Sequence, residues 1–221
     1  QRRLAHEPTP YILGHKEFYG LEFQVTPDAI IPRPETETLV ELVLDCARSA
    51  SAGEMRIADI GVGCGAVAVA LAVNLSEVEI IATDISTRAL ALARRNAERH
   101  TVADRIHFLE GDMLEPLDVP VDVIVANLPY VRSGDFEAAL SEINEHEPRL
   151  GLDGGLDGLR LIQRLLRDAP PHLKPGGALF AEIGEQQGAA ARKLAQESFP
   201  EARIEVKQDL SRLDRALVAL T

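Results

Sequence analysis

The stretch from residue 56 to residue 74 constrains this chain most. Arg56-Ile57-Ala58-Asp59-Ile60 has the β-branched, apolar character of a buried strand, and it runs straight into Gly61-Val62-Gly63-Cys64-Gly65 and an Ala/Val-rich helical stretch at 66–74. Glycines at alternate positions let the backbone turn sharply and approach a ligand closely. A strand, a tight loop and a helix in that order open a βαβ unit. The sheet is therefore predicted to be mainly parallel, with its ligand site beyond the carboxyl ends of the strands.

The pattern continues downstream. A second strand is predicted at 79–83, followed by a helix N-capped by Ser86 with its body at 90–96, and further strands at 105–109 and 121–126. Residues 156–168 form an amphipathic helix stopped by Pro170-Pro171. A fifth strand at 178–183 is introduced by a turn at Lys174-Pro175-Gly176-Gly177, and a helix lies near 189–197. Strands at 203–206 and 215–220 are joined by a connection too short for a crossover helix, so the last strand should be antiparallel. The prediction is an α/β fold: a seven-stranded, mostly parallel sheet with helices on both faces. Ahead of it, residues 18–23 suggest a β-hairpin, 30–34 a rigid extended turn and 35–46 a helix. Pro34 suits the first helical turn, and Glu35 and Glu37 suit the helix dipole. No repeat or linker divides the chain, so 1–221 is read as one domain, with 1–54 as an embellishment and 55–221 as the core.

Composition narrows the function. With 35 acidic and 23 basic residues, the net charge of −12 argues against a protein built to grip a phosphate backbone, and no direct nucleic-acid partner is expected. Cys46 and Cys64 are too few for a disulfide framework, and the six histidines (6, 15, 100, 107, 146, 172) have no metal-binding spacing. The most apolar window, 66–73, is far short of the roughly 20 residues of a membrane helix, and residues 1–7 lack a signal-peptide core. A soluble, cytoplasmic, monomeric protein is expected. The chain begins without Met, as a piece of a longer protein would.

The chemistry is concentrated at three loops. Asp84, nineteen residues beyond Gly65, closes the second strand, where a carboxylate can accept hydrogen bonds from both hydroxyls of a ribose. That pair also fits a nicotinamide enzyme. Asp59, just ahead of the glycines, could meet a cationic amine. Asp112, between Gly111 and Met113 after the third strand, could accept from an adenine amino group. Such a set suits S-adenosylmethionine, which carries an ammonium and a sulfonium and no phosphate, better than a pyrophosphate. Otherwise Asp59 and Asp112 merely cap loops.

The third loop is Asn127-Leu128-Pro129-Tyr130, delivered by the strand at 121–126. The Asn127 amide oxygen and the Leu128 carbonyl can together accept both hydrogens of a planar NH2 group, Pro129 stiffens the loop, and Tyr130 can stack on a flat substrate. Orientation would be the main contribution. The plainer alternative is a β-turn started by the Asn. Glu142, Glu145 and Glu147 form an acidic run read as a solvated face or as an attractor for a basic partner. Cys64 has no base partner to make it a nucleophile.

These residues resemble the class I S-adenosylmethionine-dependent methyltransferases, which have a Rossmann-like fold. More narrowly they resemble the HemK/PrmC family of peptide chain release factor glutamine methyltransferases. The resemblance spans nearly the whole chain. It rests on Ile31-Pro32-Arg33-Pro34-Glu35-Thr36-Glu37, on 59–65, on Asp84-Ile85-Ser86, on Glu147-Pro148, on Gly155-Leu156-Asp157-Gly158-Leu159 and on Glu182-Ile183-Gly184 with Gln187.

The resemblance implies that Asp59, Gly61, Val62, Gly63, Cys64, Gly65, Asp84, Ile85, Asp112, Met113 and Asn127 line the S-adenosylmethionine site, S-adenosylhomocysteine being the product. It implies Asn127, Pro129 and Tyr130 as the catalytic set. Ile30, Arg33, Pro34, Glu35 and Asn127–Tyr130 would face the substrate, the glutamine of the Gly-Gly-Gln loop of release factors. Arg33 and Glu35 would organise the hairpin rather than do chemistry.

Two departures stand out. The family usually carries N-P-P-Y, whereas N-L-P-Y is the form of rRNA adenine dimethyltransferases. The family's small helical N-terminal domain is not expected within 1–221, of which residues 1–7 resemble its last piece. The competing readings are an adenine amino-group methyltransferase on RNA or DNA, a glutamine methyltransferase for another translation protein, and a cofactor-binding module without activity.

Overall fold

The computed structural model describes residues 1–49, 55–138 and 145–221. Its main sheet is built from β3 (Met55–Ile60), β4 (Val78–Asp84), β5 (Ile106–Glu110), β6 (Val121–Ala126), β7 (Leu173–Glu182), β8 (Arg203–Gln208) and β9 (Asp214–Leu220), in the spatial order β5-β4-β3-β6-β7-β9-β8. The first five strands pair in parallel, and β9 runs antiparallel to both β7 and β8, as the short final connection requires. After α1 (Thr9–Leu13), a separate hairpin, β1 (His15–Phe18) and β2 (Leu21–Gln24), turns through Tyr19 and Gly20, both at positive φ.

Helices cover both faces because successive strand residues point to opposite sides. Ile57, Ile80, Val123 and Phe180 bury one face under α2 (Glu37–Ser49), α3 (Ala66–Asn74) and α4 (Thr87–Arg99), with Phe18 and Phe23 of the hairpin in the same cluster. Ala58, Ile60, Ile124 and Leu179 bury the other under the helices Arg160–Asp168 and Gly188–Ser198. Burial of Phe18 and Phe23 stabilises the hairpin's seat by about 1.5–3 kcal/mol each. Ser86 caps α4 as predicted, its Oγ accepting from Ala89 N at 3.2 Å.

Three boundaries differ from the sequence reading. The helix predicted from 156 begins at Arg160, because Gly155 and Gly158 take φ of +93° and +75° and Asp157 Oδ1 accepts from Leu159 N, which holds 155–158 as a loop. The turn predicted at 174–177 lies inside β7. Pairing with β6 jumps from Val121↔Leu173 to Val123↔Ala178, and Gly176, at φ +77°, absorbs the bulge. The helix predicted at 35–46 divides into a 3-10 turn at Pro34–Thr36 and α2.

Asn96, fully buried in the last turn of α4, ties the hairpin to the glycine loop. Its Nδ2 donates to Gln24 O (3.0 Å) and Cys64 O (2.8 Å), and its Oδ1 accepts from Gln24 N (2.8 Å). Glu37 Oε1 adds a bond from Tyr19 N at 2.9 Å.

Candidate active site

Strand order reverses between β3 and β6, and their last paired residues are Ile60 and Ala126. The glycine loop and the Asn127 loop therefore leave the sheet side by side, at the position where open α/β sheets bind ligands. The glycine loop is closed on itself. Gly61 N and Val62 N donate to Thr83 O, Gly65 N to Val62 O, and Gly63 N to Asp84 Oδ2, all at 2.9–3.0 Å. At φ +87°, Gly65 packs so near α4 that an added Cβ would lie 3.1 Å from the Ala93 Cα.

The carboxylates of the glycine loop have distinct settings. Asp84 also accepts from Ser86 N at 2.9 Å, and burial raises its pKa against these backbone bonds. Asp59, expected to meet a cationic amine, is buried beneath the loop. Its Oδ2 accepts from Ala68 N in the first turn of α3, and burial lifts its pKa to about 7. Cys64 is buried, and burial pushes its thiol up to about 12, so it is no thiolate nucleophile. Val62 is buried, whereas Ile85 is exposed at the rim. Asp112, expected beside an adenine, pairs through Oδ2 with Arg164 at 2.6 Å. Met113 is buried at φ +57°, its carbonyl accepting from Thr83 Oγ1 at 2.9 Å.

This set suits a ligand with hydroxyls better than a pyrophosphate. The N–H groups of Gly61, Val62, Gly63 and Gly65 that would cradle a pyrophosphate are already engaged, one of them by a carboxylate.

The Asn127 loop is held from further away. Asn127 Nδ2 donates to Thr36 Oγ1 at 3.0 Å, and Tyr130 OH donates to Glu182 Oε1 at 2.9 Å. Leu128 is buried against Gly61, where an added Cβ would lie 3.0 Å from Leu128 Cδ2. Pro129 and Tyr130 are braced by Gly154 and Gly158. A Cβ on Gly154 would sit 2.7 Å from Pro129 O, and one on Gly158 2.2 Å from Tyr130 O. Gln187 Nε2 donates to Tyr130 O at 2.9 Å. Burial raises the pKa of both Glu182 and Tyr130.

The flanking segment is anchored by a residue assigned another role. Glu147 is not part of a solvated face: it is buried, accepting from Ile31 N at 3.0 Å and pairing with Arg33. Glu145 is exposed, and Glu142 lies outside the described residues. Ile30 abuts Gly151, and Pro34 and Glu35 are exposed. Sequence reasoning missed Thr36, Glu182 and Asn96 as site-forming residues. Thr36 lay inside the I-P-R-P-E-T-E segment and Glu182 inside the Glu182-Ile183-Gly184 segment of the resemblance, neither with a role assigned.

A glycine loop and an Asn-Leu-Pro-Tyr loop meeting at the switch point of this strand order define a Rossmann-like class I methyltransferase. Residues 36–157 match the family model "Methyltransferase small domain". The release factor glutamine methyltransferase of Geobacter sulfurreducens is 47% identical over 184 residues, covering 83% of this chain and 63% of that protein. Its counterpart in Moorella thermoacetica is 42% identical over 219 residues, covering 99% and 76%. Among solved structures, the release factor-specific protein-(glutamine-N5) methyltransferase of Alicyclobacillus acidocaldarius is similar with a TM-score of 0.54 and 26% identity, over 89% of this chain and 98% of that one. The chain belongs to the release factor glutamine methyltransferase family. It spans less than two thirds of the Geobacter protein's length. Among the described residues, no helix is long and apolar enough to cross a membrane, and no His/Cys/Asp/Glu group could hold a metal ion.

Proposed function

We propose that this chain methylates the side-chain amide nitrogen of the glutamine in the Gly-Gly-Gln motif of peptide chain release factors, using S-adenosylmethionine. The observation that carries the reading is the Asn127 carboxamide. Its NH2 is committed to Thr36, which leaves Oδ1 as an acceptor beside the glycine loop. A glutamine amide nitrogen is a poor nucleophile because its lone pair is delocalised. Accepting its two hydrogens at Asn127 Oδ1 and the Leu128 carbonyl fixes the NH2 plane and stabilises the positive charge that grows on nitrogen during transfer. Tyr130 and Pro129 wall the flat group. Asp84 would hold the ribose hydroxyls and residues 61–65 would follow the cofactor's backbone. When bound, S-adenosylmethionine would supply an electrophilic methyl; the new N–C bond would form as the S–CH3 bond breaks to give S-adenosylhomocysteine, and the nitrogen would release one of its two hydrogens as a proton to water.

This reading treats 1–221 as one methyltransferase domain acting as a monomer in the cytoplasm. It is tested by incubating the protein with labelled cofactor and a purified release factor. The expected result is a mass gain of one methyl on the Gly-Gly-Gln peptide. Transfer to RNA or DNA instead overturns it in favour of the adenine reading.

A further inference from the structure

We infer that Thr36 and Glu182 are positioning residues that decide which end of the Asn127 carboxamide faces the substrate. This rests on the reading of Asn127 as the acceptor of the substrate amide. A primary carboxamide can present oxygen or nitrogen in nearly the same space, and only its partners fix the choice. Here the partner is a hydroxyl, which by itself is indifferent because it both donates and accepts. The direction must come from whatever takes the hydroxyl's own hydrogen.

Glu182 supplies that direction. Thr36 and Glu182 are both buried, and Glu182 sits at the end of β7, next to β6 and the loop that follows it. Glu182 Oε1 accepts from Tyr130 OH, while Oε2 is buried with no hydrogen-bond partner among the described residues. Parallel pairing of Ala126 with Ala181 sets the next residues, Asn127 and Glu182, side by side on one face. The Thr36 hydroxyl that holds Asn127 therefore stands beside the unpartnered carboxyl oxygen, and it opposes the rise that burial gives the carboxyl's pKa. Turning the Thr36 O–H toward Glu182 satisfies both groups and leaves Thr36 Oγ1 with only lone pairs to offer Asn127. Asn127 must then present Nδ2 inward and Oδ1 outward. An acceptor-only carboxylate thus sets a one-way sequence of hydrogen bonds ending at the substrate, and through Tyr130 the same carboxylate holds the aromatic wall.

Thr36→Val keeps the shape and removes the hydroxyl. In the full chain, kcat/KM for a release factor is expected to fall by about 10- to 100-fold, with cofactor affinity by calorimetry unchanged and Tm lowered by only a few degrees. Thr36→Ser should restore kcat/KM to within about threefold of the parent. Glu182→Gln, able to donate as well as accept, should lower kcat/KM by about tenfold. Wild-type kcat/KM in Thr36→Val, failure of serine to rescue, or a parallel loss of cofactor binding would each overturn the inference. Should Thr36→Val not fold, Thr36→Ala carries the same expectations.

A second readout is independent of activity: the Asn127 side-chain NH2 resonances should be protected from exchange in the parent and lose protection in Thr36→Val. Identical exchange in the two proteins overturns the positioning role. An inactive parent with the expected resonances sinks the substrate reading alone.

Discussion

The two loops that meet at the switch point are held by opposite strategies. The glycine loop satisfies itself: its N–H groups end on Thr83, Asp84 and Val62, all within a short stretch of chain. The Asn-Leu-Pro-Tyr loop draws its order from afar, with Thr36, Glu182, Gln187 and the glycines of 154–158 each supplying one restraint. On the function proposed, cofactor binding would be a local property of the first βα unit and aim at the substrate a property of the whole fold, and the two should be separable by mutation.

The sharpest separation is expected from Asn127→Ala, which should lower kcat/KM on the order of 100- to 1,000-fold while calorimetry finds cofactor affinity little changed. Loss of both together would merge the two halves. Asp84→Ala attacks the other side: cofactor Kd should rise by about 10- to 100-fold, and kcat at saturating cofactor should change far less. Gly158→Ala tests the remote bracing. With φ at +75° and a new Cβ 2.2 Å from Tyr130 O, the Asn127 loop must shift, at a cost of about 2–4 kcal/mol in stability and about tenfold in kcat. An unaltered cofactor Kd in that variant would sharpen the contrast.

The smallest effect concerns pH. Asp59 has its pKa raised by burial to about 7, so the folded state holds this proton more tightly than the unfolded chain. The stability it contributes is complete below the ordinary carboxylate range and is lost as pH rises toward 7. Asp59→Asn should remove that loss and gain about 2 kcal/mol on the parent between pH 5 and pH 8, read from urea midpoints. Parallel pH profiles would refute it.

The same contrast explains what the sequence disclosed. Asp59, Gly61 to Gly65 and Asp84 stand within one βαβ unit, so spacing alone located them at the mouth of the sheet. The antiparallel end of the sheet followed from one short connection. Thr36, Glu182 and Gln187 could not be found that way, because their bonds to the Asn127 loop cross 91, 52 and 57 residues. The boundary errors have a related origin. Gly155, Gly158 and Gly176 adopt positive φ to fit neighbouring chain, and periodicity carries no record of those neighbours. Glu147 was misjudged because charge suggested solvent, whereas Ile31 N and Arg33 supply its buried partners.

Asn96 sets a limit on how the molecule could be trimmed. Two of its three hydrogen bonds go to Gln24 and the third to the carbonyl of Cys64. An excised catalytic unit starting after residue 24 would strand a buried carboxamide directly beneath the glycine turn. The smallest self-sufficient version of this protein must keep the hairpin, which belongs to the foundations of the glycine loop.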